Sequence, residues 1–315
     1  MTITQEPSAP LVAVIGATGA QGGSVVRGLE ESNKAYRVRA FTRDGSKPAA
    51  QDLSKRGVEV ITMSLIIENK EQVYKVFEGV DFAFLVTTWE NGRKEKEVNE
   101  GKLLIDASKA GGASRIIWSG LPSYDKLSGG RIVDAHHFES KAVVTEYARE
   151  SGVPFVDLQA GFYGTNLLGF LPFLLSKQAD ETYAFAWPVP PTLEVPFIDI
   201  AQDYGLWARY MFELAVDEFP HGKSIVTHSE MITLPQMARQ LSEVTGKEVR
   251  FKQISSREFG ENVQTAGFPA EPMVAVWKGL DEFGWKSTTP HTVLPRLTRT
   301  WKEFAGTSDW SKVLN

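Results

Sequence analysis

One short stretch narrows the folding options more than any other. The apolar run Leu11-Val12-Ala13-Val14-Ile15 meets Gly16-Ala17-Thr18-Gly19-Ala20-Gln21-Gly22 and leads straight into an amphipathic segment. A strand that ends in G-x-x-G-x-x-G and opens a helix reads as the first βα turn of a dinucleotide-binding unit. One glycine permits the tight turn, one lets the backbone approach a pyrophosphate, and the last lets the helix pack close on its strand. The helix start then offers free N–H groups and the positive end of its dipole to phosphate oxygens. No Gly-Lys-Ser/Thr follows, which excludes a P-loop.

The chain continues in the same grammar. Strands are expected at Leu11–Ile15, Arg37–Thr42, Val58–Met63, Phe82–Val86, Arg115–Trp118 and Phe155–Leu158. Between them, helices are expected near Gln21–Glu31, Ala49–Arg56, Lys70–Phe77, Arg93–Ala110 and His137–Ser151. Such alternation gives right-handed βαβ crossovers, and continuously apolar strands imply helices on both faces. The expected architecture is therefore α/β, a Rossmann-type doubly wound parallel sheet. Residues 1–10 read as a flexible N-terminus, 11–158 as the dinucleotide-binding domain, and 159–315 as a smaller α+β lobe with segments able to return to the sheet. Within the lobe, 159–198 reads as loop-built, Asp199–Glu218 as a helix with Asp199 as N-cap, and Thr233–Gly246 and Glu248–Ile254 as helix and strand. The apolar stretch Leu167–Leu175, broken by Gly169 and Pro172, is too short for a bilayer span and reads as core or pocket wall.

Composition removes several classes of chemistry. The 315 residues contain no cysteine, which excludes disulfides, thiol catalysis and cysteine-held metal or iron–sulfur sites, and fits a reducing compartment. Five histidines without metal-ligand spacing argue against a metal site. A net charge of −5 argues against a direct nucleic-acid surface. Arg93, Lys94 and Lys96 interleave with Glu95 and Glu97 and read as a solvated helix face. The opening lacks the basic start and apolar core of a signal peptide, so a cytoplasmic protein is expected, without a membrane anchor.

The second strand bears on which dinucleotide is held. An NAD site usually ends this strand with an acid for the ribose hydroxyls, whereas here it ends in Arg43, with Asp44 next and Lys47 close behind. A guanidinium there can pair with a 2′-phosphate, so NADP(H) is favoured over NAD.

The glycine turn, Phe41-Thr42-Arg43-Asp44, Ile117-Trp118-Ser119-Gly120-Leu121-Pro122-Ser123 and His137-Phe138-Glu139-Ser140-Lys141 together resemble the NmrA-like family of atypical short-chain dehydrogenases. Isoflavone reductases are more distant relatives, and the Trp118–Ser123 wording looks fungal. The resemblance spans about residues 11 to 255. It implies an NADP-binding Rossmann domain and a C-terminal lobe closing a cleft above the nicotinamide. It also implies either redox-sensing regulators of protein partners or reductases of small, often aromatic molecules. Two departures stand out. The family's wider Tyr-x-x-x-Lys pattern has His137 in place of tyrosine, and an expected Asp-Leu adenine contact is Ser64-Leu65.

The candidate site follows. Gly16, Thr18, Gly19, Ala20, Gln21 and Gly22 are assigned to the phosphates, Arg43 and Lys47 to the 2′-phosphate, and Thr87 and Thr88 to the cofactor path. His137 and Lys141, one turn apart on a helix, share a face. The resemblance assigns Lys141 to the nicotinamide ribose and Phe162 to the side of the nicotinamide. Ser119, at the end of the fifth strand, is placed to bind a reacting carbonyl. The proton donor is left open between His137, Tyr163 and a bound water. Tyr183, Phe185, Trp187 and Phe197 read as lobe core or as an apolar substrate pocket. The leading expectation is an NADPH-dependent reductase of a small aromatic or conjugated carbonyl or enone, as a monomer or homodimer. A non-catalytic NADP(H) sensor acting on a protein partner is the alternative.

Overall fold

The computed structural model describes residues 3–90, 92–285 and 294–315. The first half builds five strands, β1 (Leu11–Val14), β2 (Arg37–Thr42), β3 (Glu59–Thr62), β4 (Phe82–Leu85) and β5 (Arg115–Trp118). They alternate with α1 (Ala20–Glu30), α2 (Pro48–Lys55), α3 (Lys70–Phe77) and α4 (Lys94–Gly111). After the short α5 (Tyr124–Ser128) and α6 (His136–Glu150), β6 (Phe155–Ala160) extends the sheet. The second half contributes β7 (Phe162–Tyr163), β8 (Ser176–Lys177), β9 (Tyr183–Trp187), β10 (Glu194–Ile198), α7 (Tyr204–Glu213), β11 (Ser224–Thr227) and β12 (Glu230–Thr233). It closes with α8 (Leu234–Thr245), β13 (Val249–Gln253), α9 (Ser256–Thr265), α10 (Ala270–Phe283) and α11 (Trp301–Thr307).

The main sheet runs β11-β6-β5-β4-β1-β2-β3, every pairing parallel. It is a Rossmann-type sheet with its order reversing between β1 and β4, and the crevice at such a reversal, beyond the strands' carboxyl ends, is where open α/β sheets hold ligands. Helices cover both faces, and Val12, Ala13, Val14, Ala83, Phe84, Ile116 and Ile117 are fully buried between them. The eleventh strand returns from the second half to pair with β6, and α7 comes with it. Helices α1 and α7 cross at backbone contact: a Cβ on Gly205 would lie 1.8 Å from the Ser24 carbonyl oxygen.

Three local expectations change. Residues 3–10 pack rather than trail: Ile3 is buried and bridges Tyr36, and Thr4 donates its N–H to the Tyr36 carbonyl at 2.9 Å. Met1 and Thr2 lie outside the described residues. The segment 159–198 holds four short strands, in the sheets β12-β10-β7 and β13-β9-β8, because its aromatic residues pair across strands as well as pack. The helix expected from Asp199 starts at Tyr204 and stops at Glu213. Arg299 takes the Asp199 carboxylate at 2.6 Å, and Asp203, at the N-cap position, is drawn off by Arg296 at 2.9 Å and by the Arg299 N–H at 2.8 Å.

The lobe has its own core. Trp187, Phe185, Phe197, Tyr183, Phe259 and Trp301 are buried in it, and the Trp187 and Trp277 rings lie 4.3 Å apart. This settles Tyr183, Phe185, Trp187 and Phe197 as core. Helix α8 forms where expected, opened by a Thr233–Gln236 capping box and closed by Gly246 at φ +69°.

Candidate active site

The site begins where β1 ends. Gly16 has φ +67°, a left-handed turn that suits glycine, and a Cβ on Gly22 would lie 2.3 Å from the Gly16 carbonyl oxygen. The turn therefore closes tightly against the first turn of α1. Gly19, the N-cap, has no side chain to cover the first N–H groups of the helix. They face a cavity of about 480 Å³ lined by Gly16, Gly19, Ala20, Gln21, Gly22, Thr87, Thr88, Ser119, His137, Lys141 and Tyr163. A neighbouring cavity of about 460 Å³ is lined by Gly16, Thr18, Arg43, Lys47, Ser64, Leu65, Thr87 and Thr88. Shared residues Gly16, Val86, Thr87 and Thr88 join the two into one cleft across the sheet's switch point.

At the outer end, Arg43 and Lys47 are exposed, and Asp44, also in the wall, is engaged through Oδ1 by Ser46, accepting its N–H at 2.9 Å and its hydroxyl at 2.6 Å. Those bonds hold the Asp44 carboxyl below its usual range. The arrangement leaves a cationic rim at the end of β2 with its acidic neighbour occupied.

The inner end is partly buried. Gln21 donates to the Ser119 hydroxyl at 2.8 Å, tying the glycine turn to the end of β5. Lys141 donates to the Thr87 carbonyl and hydroxyl, each at 3.0 Å, and to Glu97 at 2.8 Å. Burial pushes the Glu97 carboxyl up, but the Lys141 ammonium and the hydroxyls of Ser140 and Thr87 outweigh it and hold it below the usual range. His137 packs at a tilt against Trp89 and edge-on to Phe138, with ring centroids at 5.3 Å and 5.0 Å. Desolvation first, then the Lys141 charge, lowers its pKa to about 4. The ring is therefore neutral at neutral pH, and its buried Nδ1 has no hydrogen-bond partner among the described residues. Burial in apolar surroundings raises the Tyr163 phenol far above its ordinary value, so it keeps its proton.

A third cavity, about 240 Å³, opens from the inner end through Leu121, His137, Ala160 and Tyr163. Its walls are apolar, including Phe162, Leu171, Phe173, Met273, Trp277 and Leu280. Phe162 faces this pocket, edge-on to Trp187, and does not line the cavity at the glycine turn. Trp89 and Phe170 line that cavity instead, Phe170 at 70% exposure. The structure thus gathers every expected residue except Phe162 around the two joined cavities.

Sequence reasoning missed several contributors. The α10 wall has no local motif, since it reaches the pocket only through the tertiary fold. Glu97 left a readable trace. It is not part of a solvated face but is 2% exposed, and the buried residues Glu97, Gly101, Leu104 and Ser108 recur at helical spacing along α4.

Comparisons with known proteins agree with this geometry. The profile of the NmrA-like family matches residues 8–292. The NmrA-like family domain-containing oxidoreductase malD of Malbranchea aurantiaca is 31% identical over 265 residues, covering 78% of this chain and 76% of that protein. An NmrA-like family domain-containing protein of Dictyostelium discoideum is 28% identical over 256 residues, covering 80% of this chain and 82% of that protein. Among solved structures, NmrA, a negative transcriptional regulator in complex with NADP, superposes with a TM-score of 0.71 at 23% identity, covering 95% of each chain. The NADPH-dependent quinone oxidoreductase QOR2 of Escherichia coli, complexed with NADPH, gives a TM-score of 0.73 at 21% identity, covering 93% of this chain and 98% of that one. At these identities the structural likenesses speak for the fold. With the fold, the glycine turn and the sequence match in place, the chain belongs to the NmrA-like family.

Proposed function

We propose that the protein is an NADPH-dependent reductase of a small aromatic or conjugated carbonyl compound. The carrying observation is the junction at His137 and Tyr163, where the cavity above the glycine turn opens into an apolar pocket. A flat apolar molecule suits those walls, and a few convergent polar groups at one end suit a carbonyl. A sequence relative points the same way, since malD is described as an oxidoreductase. That weighs for an enzyme over a sensor of a protein partner.

The residues fit a dinucleotide. The close approach of Gly22 to Gly16 leaves bare backbone where a pyrophosphate needs it, and the N–H groups of Ala20, Gln21 and Gly22 would hold it. Thr18, Thr87 and Thr88 would line its path, and Arg43 with Lys47 would take a 2′-phosphate. Solved NmrA structures hold NAD or NADP, so the preference for NADP(H) rests on this chain's own Arg43 and Lys47. Bound there, the reduced nicotinamide supplies a hydride to the substrate.

The chain's own residues then do three things. Tyr163, protonated at any working pH, donates to the substrate oxygen and stabilises the charge that grows there. His137, neutral, orients that oxygen, and the proton that completes reduction passes from the Tyr163 hydroxyl, which solvent reprotonates. Apolar walls from Phe162 to Leu280 exclude water from the reacting carbon. The reading carries with it a cytoplasmic monomer or homodimer. Among the described residues, no helix is long and apolar enough to cross a membrane.

The test is to mix the protein with NADPH and a panel of quinones, aldehydes and enones, and to follow loss of the reduced-nicotinamide absorbance. Turnover with a conjugated or aromatic carbonyl is expected. Tight dinucleotide binding with no oxidation across the panel would overturn the enzyme in favour of the sensor.

A further inference from the structure

The reaction just described gives Glu97 no task, yet its carboxylate is among the most enclosed charges in the protein, at 2% exposure. Withdrawing a carboxylate from water is costly unless it is paired and hydrogen-bonded. Glu97 is both: Oε1 accepts from Lys141 at 2.8 Å and from the Thr87 hydroxyl at 2.8 Å, and Oε2 accepts from Ser140. The fold makes room for this meeting. One turn along α4 stands Gly101, where a Cβ would lie 2.6 Å from Val144 of α6, so the two helices approach closely enough for Glu97 to reach both Ser140 and Lys141.

The consequence falls on Lys141. An ammonium has three N–H donors. Here each has an acceptor inside the protein: the Thr87 carbonyl, the Thr87 hydroxyl and Glu97. The ammonium also lies 5.7 Å from the centre of the Trp118 ring. The lysine is thus locked against the end of β4, where Thr87 and Thr88 form the seam between the two cavities. This differs from the role the family resemblance implies, a direct donation to the nicotinamide ribose.

We propose that Glu97 is a positioning residue of the nicotinamide end. It holds the Lys141 ammonium against Thr87, so that the lysine acts on a bound dinucleotide by fixing the β4 end and by its charge, rather than as a ribose ligand. The proposal rests on the dinucleotide reading above. It makes Glu97, Lys141 and Thr87 one unit, in which losing any one member removes the effect of the others.

A double-mutant cycle on the Kd for NADPH, read by the fluorescence of the bound reduced nicotinamide, tests it. Glu97→Gln and Lys141→Met are each expected to weaken binding about 10-fold, and the double variant no more than either alone. Glu97→Asp, which keeps the charge on a shorter stem, is expected to bind more tightly than the isosteric Gln variant. If the Gln protein fails to fold, Thr87→Val made in the wild-type and Lys141→Met backgrounds carries the same test, with about a 3-fold loss in the first and none in the second. Additive losses, or a Gln variant that binds as well as wild type or better than Asp, would overturn the positioning role while leaving the dinucleotide reading intact. Failure of the wild-type protein to bind NADPH would overturn both.

Discussion

The two ends of the cleft are built in opposite ways. The end proposed for the phosphates comes from two contiguous stretches, Gly16–Gly22 and Arg43–Lys47, and presents backbone N–H groups and exposed cations. The nicotinamide end is assembled from Thr87, Glu97, Ser119, His137, Lys141 and Tyr163, each on a different strand, helix or loop or a turn apart, the first three buried and the others half-buried. A charge at the first end is screened by salt and solvent. At the second, the same charge shifts its neighbours, as the low pKa of His137 and the retained ionisation of Glu97 show. The difference separates recognition from chemistry along one groove.

The largest break is expected from the tightest backbone contact. Gly22→Ala places a Cβ 2.3 Å from the Gly16 carbonyl oxygen and must displace the turn. A misplacement on that scale costs about 100-fold, so titration should show NADPH affinity falling by that factor, with a lowered Tm. Affinity within a few-fold of wild type would mean that the turn does not seat the phosphates.

Next comes the charged rim. Charge-assisted bonds are worth about 1.5–3 kcal/mol, so Arg43→Asp should weaken NADPH by roughly 10- to 100-fold. Affinity for NADH should change little, and the wild-type preference should shrink as salt rises. Equal losses for the two dinucleotides would remove Arg43 from the 2′-phosphate.

The smallest effect concerns acid stability at the inner end. The unfolded chain protonates His137 as pH falls through 6.5, whereas the folded chain waits until about 4. The stability that comes with the neutral ring is therefore complete above 6.5 and drains away as pH falls toward 4. Asp157 runs the other way, since burial raises it from 3.8 to about 6, and it contributes alike to both proteins compared. His137→Asn should lose about 1 kcal/mol less than wild type between pH 7 and 4.5, after discounting for the partial exposure of the ring. Denaturant unfolding at the two pH values measures it. Parallel losses would mean that the ring titrates freely.

The same contrast explains what could be read from the chain alone. The glycine turn and the alternating strands and helices are local patterns whose physics acts between near neighbours, and they led to the sheet and to the cleft at its switch point, which Arg43 lines. Glu97 was hidden by its company, because Arg93, Lys94, Lys96 and Glu95 give that helix start a solvated look while α4 rotates Glu97 inward. Phe162 sat beside the right cleft but turned toward Trp187 and Trp277, a choice made by packing from residues far along the chain. Asp199 does accept the Gln202 N–H through Oδ1 at 3.3 Å, but its other oxygen is held by Arg299, one hundred residues away, and the helix begins only at Tyr204. Where a distant partner decides, sequence spacing carries little information.

In the proposed reaction, the apolar pocket behind His137 and Tyr163 receives the molecule that is reduced. Met273, half-buried on α10, lines that pocket and not the dinucleotide cavities, so Met273→Trp fills it from the far wall. With a substrate found in the carbonyl panel, kcat/KM of this variant should fall at least ~10-fold while its NADPH Kd stays within about 2-fold of wild type. Turnover unchanged by the filled pocket, or lost only in step with NADPH binding, would contradict the account.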